Sequence, residues 1–113
     1  MSNQAVFNKA AIHLLKQGRK SLLPHTRACA YRGDEGRMCP IGALIPDDCY
    51  HPRMEGMDVR YLAYHYNLDF GADHMLLFHL QLVHDTSHPR KWKARLTDVA
   101  QRFHLTLPKE FHE

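Results

Sequence analysis

No long helix or strand can run through residues 29–56. This quarter of the chain holds all three cysteines, four of the six glycines, and prolines at 40, 46 and 52. Proline removes a backbone donor and fixes φ, and glycine raises the entropic cost of regular structure. The segment must therefore be assembled from turns, with regular elements falling on either side of it. Such a density of special-purpose residues points to a specific local structure rather than a plain linker.

The flanks read as helices. Residues 3–17 place Phe7, Ala11, Leu14 and Leu15 at spacings of three and four, with Ser2 or Asn3 as a cap and Gly18 just past the end. Residues 57–66 form a shorter helix with Val59, Leu62, Ala63 and Tyr66 inward. Residues 72–84 form a strongly apolar one with Leu76, Leu77, Leu80 and Val83 inward. Pro89 opens the last helix, whose Trp92, Leu96, Val99 and Phe103 give the clearest amphipathic stripe in the chain. The tail from Thr106 is expected to fray unless Phe111 docks.

Within the turn-rich segment, residues 29–38 read as a small β-hairpin around Gly33-Asp34-Glu35-Gly36. A turn centred on Asp34 sets Cys29 opposite Cys39. Residues 40–45 read as a short buried helical turn in which Gly42 permits close approach, and Pro46-Asp47-Asp48 as a second short helical start. The expected fold is mainly α, formally α+β: about four helices with a hairpin insert, in a single domain over residues 1–113. The 44% hydrophobic and 24% charged content of these 113 residues is enough for such a domain to bury its own core.

Charge is unevenly spread. Residues 9–37 carry seven basic and two acidic side chains, residues 46–88 two and seven, and residues 90–102 five and one. The chain is thus basic, acidic and basic in turn, a pattern able to steer a charged partner. No apolar run approaches a membrane span. Lys9, His13 and Lys16 interrupt any leader-like apolar stretch, so a cytoplasmic location without membrane association is expected. An odd number of cysteines in such a chain suggests thiols rather than disulfides.

The central pattern Cys29-x-Tyr31-Arg32-Gly33, Cys39-x-Ile41-Gly42-x-Leu44-Ile45-Pro46-Asp47, then Tyr50 and Glu55-Gly56, resembles a family of small uncharacterised proteins of tailed phages, prophages and bacteria. The later Leu80-Gln81-x-x-His84-Asp85 with Trp92 and Leu96, and the opening helix ending Leu14-Leu15-Lys16-Gln17, are similar to it as well. The resemblance covers most of the chain. It implies phage or bacterial origin and intracellular action, and carries no mechanism.

The residues themselves suggest no catalytic set, no cofactor motif and no assigned metal ligands. The cysteines are spaced Cys29-x9-Cys39-x9-Cys49, without the close pairs of structural zinc sites, although a hairpin bringing Cys29 to Cys39 keeps a metal or thiol site open. Cys39 ahead of a helical start would have a lowered thiol pKa. His74, His79 and His84 recur every five residues, which rotates them off a common helix face. His84-Asp85 reads as a helix end, with His84 near the last carbonyls and Asp85 closing the terminus. Gly33-Asp34-Glu35-Gly36 would repel phosphate.

Two binding readings remain beside the metal or thiol one. Arg90, Lys91, Lys93 and Arg95, on the basic helix 90–102, are candidates for nucleic-acid contact, although Trp92 faces the core and the preceding turn is longer than that of a helix-turn-helix. Tyr31, Arg32, Arg37, Met38, Tyr50 and Met54 combine residue types enriched in protein interfaces, and Tyr61 and Tyr64 extend them. The favoured expectation is a non-enzymatic accessory protein that binds, and perturbs, a host protein through this set.

Overall fold

A computed structural model describes residues 2–112, in which four α-helices flank a segment of short turns: α1 (Asn3–Gln17), α2 (Val59–His65), α3 (His74–Thr86) and α4 (Trp92–Arg102). The apolar stripes are the cause. Phe7, Ala11 and Leu14 of α1, Val59, Leu62 and Ala63 of α2, Leu76, Leu77, Leu80 and Val83 of α3, and Trp92, Leu96 and Val99 of α4 are all buried in one hydrophobic cluster. The most apolar helix, α3, is central and touches α1, α2 and α4. The Cα radius of gyration is 13.1 Å, close to the roughly 13 Å expected of a packed chain this long.

Local chemistry sets the helix limits. Ser2 accepts the Ala5 N–H at 3.1 Å to begin α1, and Gly18 ends it with φ +66°. Asp58 and Asp73 cap α2 and α3 by accepting from Arg60 N–H and Met75 N–H. A 3₁₀ turn at Pro89–Lys91 leads into α4, so Pro89 opens the helical region one turn before the α-helix itself. The tail does not fray within the described residues. Phe111 is buried and stacks on Phe7 with 6.3 Å between ring centroids, and Gln4 exchanges two hydrogen bonds with the Thr106 backbone.

The hairpin expected at 29–38 is replaced by one antiparallel bridge, Arg32 to Met38, closed by a 3₁₀ turn at Asp34–Gly36. The physical reason is competition for backbone groups. Glu55 accepts both the Tyr31 and Arg32 N–H groups, at 2.8 and 3.1 Å, while Gln17 and His13 engage the N–H and carbonyl of Met38. The next rung would pair the Tyr31 N–H with the Cys39 carbonyl, and both are taken, by Glu55 and by the Ala43 N–H, while the outward groups of Arg32 and Met38 are held by Glu55 and α1. The turn centres on Glu35, at φ +55°, followed by Gly36 at φ +72°. Tyr31 therefore pairs with Cys39, while Cys29 bridges to Leu22. The expected Cys29–Cys39 pairing is two residues out of register.

Downstream, 3₁₀ turns at Gly42–Leu44, Asp47–Cys49 and Pro52–Met54 complete the segment. Gly42 is required there: a Cβ at this position would lie 1.8 Å from the Tyr31 carbonyl oxygen. Among the described residues, no helix is long and apolar enough to cross a membrane.

Candidate functional site

A cleft of about 360 Å³ lies between α3 and the turn segment. On one side the helical spacing aligns Phe78, Gln81, Leu82 and Asp85; on the other stand Cys29, Tyr31 and the chain entering α2. At its inner end Cys29, His84 and Asp85 bring a sulfur, a ring nitrogen and a carboxylate oxygen within 4.8 Å of one another. This trio replaces the Cys29–Cys39 site suggested by the sequence.

Its hydrogen bonds define what the trio can do. The Ser21 N–H donates to His84 Nε2 at 2.9 Å, so that nitrogen carries a lone pair. The ring proton therefore sits on Nδ1, which donates to Asp85 Oδ1 at 2.7 Å. Gln81 adds an amide donor to both Asp85 oxygens, and Lys20 donates to the Asp85 carbonyl. The imidazole has no lone pair left for a metal at Nδ1 and no free nitrogen to take a proton from a thiol. The trio fits neither a metal nor a cysteine–histidine nucleophile. It fastens the loop after α1 to the end of α3, and His84 stacks on Trp92 with centroids 5.6 Å apart. The expected contact of His84 with the last helical carbonyls is absent; Lys20 serves one of them instead.

The thiols agree with this. Burial pushes Cys39 up to about 12, overriding the Gly42 N–H that donates to its sulfur. Burial and then the Asp85 carboxylate raise Cys29, and local desolvation with Asp48 raises Cys49. The lowered pKa expected for Cys39 does not arise, because desolvation exceeds the effect of nearby amides.

The residues expected to form a partner surface are largely absorbed into the fold. Tyr31 and Met54 are buried, and the Tyr31 hydroxyl donates to the Met57 carbonyl. Arg32 donates to Ile45 O at 2.7 Å, pairs with Asp47 at 2.8 Å and lies 5.1 Å over the Tyr50 ring. The Tyr50 hydroxyl donates to Glu55 at 2.6 Å; burial and that carboxylate push its pKa up to about 12. Arg37 pairs with Glu35, and Met38 is half-buried. Glu55 is the hub that sequence reasoning missed. Its only sequence signal was its place in the Glu55-Gly56 pair of the central pattern, to which no role was attached.

Two surfaces remain unabsorbed. On α2, Tyr61 and Tyr64 are 53% and 86% exposed, and Tyr61 stacks on His65 with centroids 5.3 Å apart. Around the start of α4, Arg90, Lys91, Lys93 and Arg95 are all exposed, while Trp92 is buried with its Nε1–H donating to Ser87 O at 3.1 Å. The two sets were both visible in the sequence; their exposure is what the fold adds. Comparison with family models, curated proteins and solved structures found no match to this chain.

Proposed function

We propose that this chain is a small non-enzymatic accessory protein that binds and modulates a protein partner through α2. One observation carries the reading: Tyr61 and Tyr64, three residues apart on a seven-residue helix, are held in water at 53% and 86% exposure. Tyrosine offers a large contact area with few rotatable bonds, and it is enriched where binding energy concentrates. The stacking of Tyr61 on His65 holds one ring in place before contact, which lowers the ordering cost of association. The reactive groups elsewhere support the same reading from the other side: His84, Asp85 and Glu55 are each engaged by partners within the chain.

The partner surface is thereby moved from the Tyr31–Met54 set to α2. The resemblance to small tailed-phage and prophage proteins makes the partner a host protein and the host cytoplasm the place of action. Affinity capture from host lysate after nuclease treatment tests this. A stoichiometric protein should be recovered by the wild type and lost by Tyr61→Ala/Tyr64→Ala, with the helical circular dichroism of the variant unchanged. Equal recovery by the folded variant removes α2 as the contact site.

A further inference from the structure

Four arginines elsewhere in the molecule are each paired with an acid: Arg27 with Asp34, Arg32 with Asp47, Arg37 with Glu35 and Arg60 with Asp58. Other exposed cations, such as Arg19, Arg53 and Arg102, also make no ion pair among the described residues, but Arg90, Lys91, Lys93 and Arg95 stand within six consecutive residues that hold no acid. All four are exposed, and among the described residues none makes an ion pair, even though Asp98 stands exposed on the same helix one turn beyond Arg95. Three of them also occupy the wrong end of the helix. The first turn of α4 holds no acid, and the preceding turn carries Arg90 and Lys91. Cations here oppose the helix dipole, which favours anions at this end. A local choice that costs stability without an internal compensation marks a surface kept for something outside the chain.

We propose that this face of α4 and the turn before it is a second binding surface, independent of α2, that holds the phosphate backbone of a nucleic-acid duplex without reading its sequence. Three observations select that partner. Residues 90–95 span about 7.5 Å at a helical rise of 1.5 Å per residue, and a DNA duplex carries about four phosphate charges over that length. The four cations are spread around the exposed arc of the helix, with Lys93 and Arg95 near its two edges, and together present an acid-free cationic surface to such a polyanion. The apolar residues of α4, Trp92, Leu96, Val99 and Ala100, are all buried, so the face lacks the aromatic or aliphatic anchor that an acidic protein partner would need. The inward Trp92 also leaves this face without a platform for unstacked bases, which single-strand binders use. Charge alone remains, and charge alone positions a backbone.

Anisotropy of a short fluorescent DNA duplex, titrated with the full chain across a salt series, tests the proposal. Binding should weaken as salt rises, with a log–log slope of about −3 to −4 for four phosphate contacts. Each single neutralisation (Arg90→Gln, Lys91→Gln, Lys93→Gln, Arg95→Gln) should reduce that slope by about one. The quadruple variant should lose affinity by more than about tenfold. Arg90→Glu/Lys91→Glu/Lys93→Glu should abolish binding while raising Tm by a few degrees, because acids suit the positive end of α4; a surface role limited to stability would not give that opposition. Tyr61→Ala/Tyr64→Ala should leave duplex binding unchanged, which separates this surface from α2. No binding at low salt, a flat salt slope, undiminished binding by the folded quadruple variant, or tighter binding of single strands or an acidic peptide than of the duplex would each overturn the proposal.

Discussion

The His84 imidazole joins three parts of this chain: Nε2 holds the loop after α1 through Ser21, Nδ1 holds Asp85 at the end of α3, and the ring face stacks on Trp92 of α4. Replacing His84 with Phe would keep a flat ring against Trp92 but leave the buried Ser21 N–H without an acceptor. The expected cost is about 1–3 kcal/mol, the penalty of one unsatisfied buried donor, read as a lower urea midpoint at constant m. Gly42→Ala should cost at least as much, about 1–3 kcal/mol or more, because its Cβ would meet backbone rather than a movable side chain. The thiols give a third residue-level expectation. In the native protein a disulfide-exchange reagent at mildly alkaline pH should modify exposed Cys49 fastest and half-buried Cys29 slowly; buried Cys39, its pKa pushed up to about 12, should react only on unfolding. Equal native rates at Cys39 and Cys49 would contradict its burial. Little of this was legible in the sequence. Cys29 and His84 lie 55 positions apart, and nothing local marks that the fold places them side by side.

Elements tell a different story. The apolar spacings of α1, α3 and α4 were legible because a helix that must bury one face writes that face into its sequence with period 3.6. α3 shifts by two residues from the expected 72–84 to His74–Thr86, since Asp73 takes the cap and moves the start. The region 29–38 failed as a hairpin because a strand ladder depends on backbone groups, and a side chain from anywhere in the chain can claim those. Here Glu55 claims the Tyr31 N–H, and the Ala43 N–H claims the Cys39 carbonyl that would have answered it. Glu55→Gln should therefore disturb this segment more than any helix. Amide exchange at Tyr31 and Arg32 should accelerate while exchange in the centre of α3 holds near the global rate. By contrast Leu80→Ala, in the fully buried middle of α3, should lower global stability by about 2–5 kcal/mol, measured by denaturant unfolding.

At the scale of the whole molecule, the basic–acidic–basic order of the sequence becomes a surface with separate regions. The exposed cations of α4 are without ion pairs among the described residues, while Arg32 and Arg37 of the turn segment are paired with Asp47 and Glu35. Two groups, His79 and Asp58, give stability a dependence on pH whose sign follows from their surroundings. Burial and then Arg102 lower the pKa of His79, so the folded state binds its proton less readily than the unfolded chain does. Stability from this group is therefore complete above about pH 6.5 and declines as pH falls below it. Asp58 is lowered chiefly by its hydrogen bonds from Arg60, so its contribution is present above about pH 4 and is lost as pH falls further. Thermal melts through this range should show Tm falling in both windows, with His79→Gln removing the upper decline. A Tm–pH profile through pH 6 left unchanged by His79→Gln would contradict the His79 environment. The sequence by itself determined the four helices, most of their inward faces, the start and stop of the first and the need for a turn-built centre, because periodicity and capping are local physics. Only the tertiary structure decided which polar groups are consumed and which are left exposed. Tyr31 and Met54 went inward, Tyr61, Tyr64 and the α4 cations stayed out, and His84 became a fastening rather than a reactive group. Such outcomes depend on contacts between residues distant in the chain, where burial and hydrogen-bond competition are settled by packing.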